Sequence, residues 1–281
     1  MVNNEQFSPP AGQPREPAFP LPWLIVTLAA AAFLSFLITT PGGLLTKADL
    51  VGCAVCGRLE GHSFVIAGRQ LPLCARCTGT FLGALVGFFG QAVVLRRRRV
   101  TEFPPRFIIV ILVGFVLLMA VDGLNSYLAL LLGDLRFYEP RNWLRLTTGA
   151  LYGLTMSTLV YPLCNFTLWR HPVPGRAIHS LRDLGILLLL EAGMIGLVLT
   201  RWSFLLYPLA LLSAVGVLTL LTSVNSILVV MVVRRENVVD TWRDAVVPLL
   251  AGFTVSLIQV GVINIVRYVL TGTLVGELTL Q

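Results

Sequence analysis

Long apolar runs recur along this chain and decide where it can fold. Stretches of around 20 residues almost free of charge are each long enough to cross about 30 Å of hydrocarbon at 1.5 Å per residue. Seven are expected, at 22–40, 79–95, 107–126, 143–168, 184–200, 204–233 and 245–270. Hydrocarbon offers the backbone no hydrogen-bond partner, so each run must satisfy its own amides as a helix. The expected fold class is therefore all-α, a polytopic transmembrane helical bundle. Composition agrees: 12% of the 281 residues are charged, against about 25% in a soluble domain, too few to cover a water-facing surface. The sixth run is longer than a straight crossing needs, which predicts a tilt or a break near Asn225.

The first residues read differently. Pro9, Pro10, Pro14, Pro17, Pro20 and Pro22 punctuate a segment almost without aliphatic periodicity, which predicts a disordered cytoplasmic tail over 1–21. The run from Trp23 to Thr40 exceeds a typical signal-peptide core and no A-x-A site follows it, so it is expected to stay as an anchor.

Net charge is +7, which by itself is compatible with a nucleic-acid partner. The arginines, however, fall in short runs between apolar segments, where membrane topology accounts for them, and no nucleic-acid partner is expected. Four consecutive arginines at 96–99 follow the second run, and the positive-inside rule places them in the cytoplasm. Alternation then gives 12 Lys or Arg inside and 8 outside, with Arg267 near the outer end of the last run. The N-terminus is expected inside and the C-terminus outside. A cysteine loop at 41–78 and the loop at 127–142 fall together on the extracytoplasmic face.

Four of the five cysteines lie in that first loop as Cys53-x2-Cys56 and Cys74-x2-Cys77. The 17 residues between the pairs match the spacing of four-thiolate metal sites. Each CxxC can turn two sulfurs toward one ion, and four thiolates suit tetrahedral zinc at about 2.3 Å or iron in a similar geometry. Arg58, His62, Gly68 and Arg69 between the pairs favour a short knuckle or hairpin, and His62 is a candidate fifth or substitute ligand. The compartment supports a rival, because an extracytoplasmic face permits disulfides or a thiol redox relay. Cys74-Ala75-Arg76-Cys77 also opens the second run, where helix amides and Arg76 favour a thiolate. Metal, redox sulfur and simply packed thiols all remain open at this point. Cys164, deep in the fourth run, is expected to pack as a small core residue.

Polar residues gather near the same face. Asp122 and Asn125 close the third run, Glu139 and Asn142 precede the fourth, and Arg145 lies one turn into it. Charges at membrane depth are costly and usually paired, so an Asp122 to Arg145 ion pair is expected. Gly79, Gly83 and Gly87 in the second run, and Gly149 and Gly153 in the fourth, repeat at the small-xxx-small interval that lets helix backbones meet closely. Glu191, Gln259, Asn264 and Arg267 are scattered polar groups that can line a passage, without any internal duplication to support a transporter. No nucleotide-binding loop, G-x-S-x-G elbow or H-E-x-x-H is present.

Ser63-Phe64, the block from Gly68 through Leu71-Pro-Leu-Cys-Ala-Arg-Cys-Thr-Gly79, Leu82-Gly83, Asp122-Gly123 and Asn142-x-x-Arg145-x-x-x-Gly149 together resemble one family. It is the group of predicted membrane proteins known as the domain of unknown function numbered twenty eighty-five, here over about residues 50–155. The resemblance implies a small multi-pass domain in the plasma membrane of a bacterium or archaeon, with no established activity. In that pattern the first cysteine is followed directly by His and then by Arg-Ser-Phe. Here Gly57 follows Cys56 and His62 precedes Ser63-Phe64, so Cys53 is the residue that supplies the missing ligand. The organisation expected is a family-like membrane domain at 22–183 and a C-terminal three-helix extension at 184–281. The expected function is a membrane protein whose cysteine site binds zinc or iron or forms redox disulfides. The alternatives are an accessory or scaffold subunit bound to other membrane subunits, and a small-solute transporter.

Overall fold

A computed structural model describes residues 21–40, 42–132 and 138–272. The proline-rich segment predicted as a tail lies, except for Leu21, outside the described residues. Among the described residues eight α-helices carry the architecture: α1 (Pro22–Thr39), α2 (Leu44–Cys53), α3 (Ala75–Phe89), α4 (Arg106–Leu132), α5 (Asn142–Leu168), α6 (Leu181–Thr200), α7 (Leu206–Val232) and α8 (Trp242–Thr271). Short strands β1 (Ser63–Ile66) and β2 (Arg69–Cys74) form an antiparallel hairpin, and β3 (Val100–Glu102) pairs in parallel with β4 (Val173–Arg176). The fold is an all-α polytopic bundle, as expected.

Among the described residues six helices are long and apolar enough to cross a membrane: Pro22–Thr39, Ala75–Val94, Arg106–Ala129, Leu181–Thr200, Ser203–Val232 and Trp242–Thr271. The seventh expected run is α5, 27 residues long. It falls short on composition because Arg145, Thr148, Thr155, Ser157, Thr158 and Asn165 are buried along it. Those groups face protein, where hydrogen bonds to the preceding turn satisfy most of the hydroxyls.

The tightest contact in the molecule joins α3 to α5, and glycine makes it possible. A Cβ on Gly79 would stand 2.2 Å from the Leu146 carbonyl oxygen, and one on Gly153 would stand 2.1 Å from that of Thr80. Gly83 and Gly149 are equally closed, against Ala150 and Arg76. Both expected glycine rows therefore face each other, backbone on backbone.

Of the tilt or break expected in the sixth run, the break does not occur. Helix α7 is continuous from Leu206 to Val232, because Asn225 satisfies its amide across the helix interface, donating to Ser256 Oγ at 2.9 Å and Gln259 Oε1 at 3.2 Å on α8. No backbone group has to be freed to accommodate it.

The connections sort to two ends of the bundle. At one end Arg99 lies 3.8 Å over the Trp169 ring and 5.7 Å from that of Trp242, while Arg170 pairs with Asp240 at 2.8 Å. The cysteine hairpin occupies the other end. Its turn, Ala67-Gly68, has positive φ at both residues (50° and 73°), the two-residue geometry whose twist matches the strands it joins. Phe64, Ile66, Leu71 and Leu73 are at most 1% exposed, each contributing about 1.5–3 kcal/mol by leaving water. They pack the hairpin onto α2, α3, α5, α6 and α7, so the segment is built into the bundle.

Candidate metal centre

Cys56, Cys74 and Cys77 come together: their Sγ atoms all lie within 4.8 Å of one another. Three local features hold them there. Cys74 ends β2 and is the N-cap of α3, with Cys77 in the first turn of that helix. Cys56 follows α2, and the chain then reverses at Arg58, whose φ of 53° lies in the left-handed region. That reversal turns the Arg58 amide toward Cys56 Sγ at 3.4 Å, and the Cys74 amide donates to the same sulfur at 3.3 Å. A sulfur accepting two backbone N–H bonds is prepared to carry negative charge.

The charge distribution is uneven. The Cys56 and Cys77 thiols directed at Cys74 pull its pKa down to about 3, while Cys56 is raised, chiefly because its thiol serves Cys74. Within the trio the negative charge therefore favours Cys74 over Cys56. Ligand sulfurs about 2.3 Å from one ion stand about 3.8 Å apart at tetrahedral angles, so three thiols this close fit a thiophilic cation.

Cys53 and His62, the other ligands expected from the sequence, are not part of the trio. Cys53 is buried on α2 with its Sγ 3.8 Å from the Arg58 guanidinium. Arg58 in turn pairs with Asp49 at 3.3 Å, and Arg69 pairs with the same carboxylate at 2.7 Å. Asp49, 4% exposed, anchors the hairpin to α2, and sequence reading missed it. Its only signal is a lone acid in the short helix before the cysteines. His62 is half-buried beside the Arg145 and Arg76 charges. Burial first, and those guanidiniums second, hold its pKa below the usual 6.5, so it is neutral near pH 7.

A second cluster adjoins the sulfurs through Arg76, the residue inside the CxxC. Here the expected pairing of Asp122 with Arg145 is corrected, since Asp122 pairs with Arg76. Arg76 Nε donates to Asp122 Oδ2 at 3.1 Å, and its Nη2 reaches both the Asp122 carbonyl (3.0 Å) and Ser126 Oγ (2.9 Å). The α3–α5 contact brings Arg76 to the end of α4, which takes the carboxylate Arg145 was expected to hold. Tyr138 completes the shell, donating its hydroxyl to Asp122 Oδ1 at 2.9 Å. Burial, then that hydrogen bond, raises its pKa to about 12.

Arg145 is nonetheless in the cluster, 5% exposed, donating to Asn142 Oδ1 at 2.9 Å and Ser126 Oγ at 3.4 Å. Asn142 donates to the Gly61 and Ser63 carbonyls, both at 3.3 Å, and so fastens α5 to the hairpin. Asn125 donates to the Tyr138 carbonyl at 3.0 Å. Glu139 stays apart: it is exposed and lies 3.7 Å from the equally exposed Arg141. From the far end of the sequence, Arg267 on α8 donates to the Cys53 and Cys56 carbonyls, both at 3.1 Å.

Residues 56–159 match the family model described as predicted membrane protein (DUF2085). The match begins at Cys56 and takes in Cys74, Cys77, Arg76, Asp122, Asn142 and Arg145. Cys53, Glu191 and Arg267 fall outside it. An uncharacterized protein of Methanocaldococcus jannaschii is 29% identical over 111 residues, 39% of this chain and 63% of that relative. The chain therefore spans less than two thirds of that relative's length. No solved structure matches.

Proposed function

We propose that this integral membrane protein holds one zinc or iron ion through Cys56, Cys74 and Cys77, at the extracytoplasmic face of a prokaryotic plasma membrane. The observation that carries the reading is the convergence of three sulfurs within 4.8 Å, one of them accepting two backbone amides. A bound ion supplies the positive charge that lets all three sulfurs ionise. Three thiolates leave the fourth tetrahedral position to water, His62 or Cys53. The protein's own residues do the rest: Arg58 and Cys74 amides orient Cys56, and Asp122 fixes Arg76, the residue inside the CxxC. The extracytoplasmic assignment rests on the arginines at 96–99, at the bundle end opposite the hairpin.

Cobalt substitution tests the site. Cobalt(II) added to the metal-free full-length protein in detergent is expected to give the intense sulfur-to-metal charge-transfer absorption of a tetrahedral thiolate site. Cys56→Ser or Cys77→Ser should weaken it and Cys164→Ser should not. An absorption indifferent to Cys56 and Cys77 would overturn the assignment.

One observation favours a second reading. The Cys74 thiolate at a helix N-terminus beside Cys77 is suited to thiol–disulfide exchange with an extracytoplasmic partner disulfide. Forming a Cys74–Cys77 disulfide would pass two electrons and the Cys77 proton to that partner, which takes its second proton from water to become a dithiol, and leave Cys56 as a free thiol. Cys77→Ser would then trap the mixed disulfide through Cys74.

A further inference from the structure

Away from the cysteines, a groove of about 480 Å³ runs between α1 and α8 with α2 at its head, within the about 300–1,000 Å³ usual for ligand sites. Its lining is graded. Ala32 and Leu257 lie at one end, Phe36 and Gly261 in the middle, and Thr40 and Asn264 at the other. A Cβ on Gly261 would meet nothing within 4 Å.

The polar end holds an unmet acceptor. Asn264 is 7% exposed and its amide donates to the Leu50 carbonyl at 2.9 Å, yet its buried Oδ1 has no hydrogen-bond partner. An orphaned buried acceptor costs about 1–3 kcal/mol, which a donor arriving from the groove would recover. At the same end Lys47 Nζ donates to the Leu37 and Thr40 carbonyls at 2.7 and 2.8 Å, leaving one N–H and a positive charge where α1 stops. Both flanking helices are membrane spans with most of their surface outside the protein interior, so the groove opens to the lipid phase.

We infer that this groove is a binding site for an anionic glycerolipid with a free hydroxyl. The acyl chain lies along Leu257, Gly261 and Phe36, a hydroxyl donates to Asn264 Oδ1, and the phosphate faces Lys47. The direction of the gradient fixes the lipid's orientation, with its headgroup at the same end of the bundle as the cysteine hairpin. The inference is independent of the metal reading.

Native mass spectrometry of the full-length protein, after exchange into micelles doped with phosphatidylglycerol or phosphatidylcholine, tests it. Wild type is expected to retain one phosphatidylglycerol and to lose phosphatidylcholine. Asn264→Leu removes the acceptor. Gly261→Leu fills the groove but keeps the bond from Asn264 to Leu50. Both should lower retention about tenfold, the equivalent of about 1.4 kcal/mol. Gly261→Leu should unfold no lower than wild type, since it replaces a helical glycine with open space around it, which separates lost binding from misfolding. Equal retention by wild type and Gly261→Leu, the signature of annular lipid only, would overturn the site. Phosphatidylcholine held as well as phosphatidylglycerol would overturn the lipid class.

Discussion

Asp122 is the residue on which the polar half of the candidate site depends. It is 1% exposed and receives hydrogen bonds from Arg76 and Tyr138. Removing its charge leaves the part-buried Arg76 guanidinium without an anion beside the more deeply buried Arg145. Asp122→Ala is therefore expected to destabilise the protein by about 3–5 kcal/mol, read as the unfolding midpoint in mild detergent. A loss under about 1 kcal/mol would mean that the cluster is solvated and the pairing incidental. Tyr138 makes a separate prediction with a definite sign. Its pKa rises from 10.0 in the unfolded chain to about 12 in the folded protein, so the native state holds this proton more tightly. Its contribution is complete below pH 10 and is lost as pH climbs toward 12. Alkaline unfolding curves of Tyr138→Phe should lack that component, and identical curves for variant and wild type would refute it. The sequence located this cluster but not its pairing. Arg145 is the charge at membrane depth in the fourth run near the same face and so looked like the partner, whereas Arg76 lies 46 residues from Asp122, a proximity created by packing that no periodicity encodes.

That α3 and α5 each pack closely was legible in the sequence, because glycine at four-residue spacing has one common use in a membrane helix; that the two rows meet each other is what the structure adds. The fit can be broken selectively. Gly149→Ala places a methyl 2.2 Å from the Arg76 carbonyl oxygen, which neither backbone can yield. It should cost about 3 kcal/mol or more and displace Arg76 from Asp122. Gly185→Ala in α6 is the control, since a Cβ there meets nothing within 4 Å; replacing a helical glycine should stabilise it by up to about 1 kcal/mol. Equal effects of the two substitutions would show that the α3–α5 contact is looser than described. The hairpin was legible as a knuckle or hairpin from Gly68 and the charged residues between the cysteines. The continuity of α7 was not, because the pattern around Asn225 cannot show that Ser256 and Gln259 stand ready across the interface.

At the scale of the whole molecule, the bundle gathers onto one end residues that the sequence keeps far apart. Helix α8 contributes Arg267, 214 residues from Cys53 and 211 from Cys56, whose carbonyls it binds. The expectation that the cysteine loop and the loop at 127–142 share a face was legible from alternation of spans, and Asn142 bonded to Gly61 and Ser63 is its structural counterpart. The selection among the cysteines was not legible. The C-x2-C spacing treats Cys53 and Cys56 alike, and only folding shows that Arg58 sits against one sulfur while turning its amide toward the other. The central claim is that Cys56, Cys74 and Cys77 jointly hold an ion, and elemental analysis paired with thiol counting tests it most directly. On protein purified without metal-affinity resin, the account predicts about one zinc or iron per chain. It also predicts three further alkylatable thiols on adding chelator, lost together on substituting those cysteines. No metal, with the same thiols alkylatable from the start or already joined in a disulfide, would contradict it.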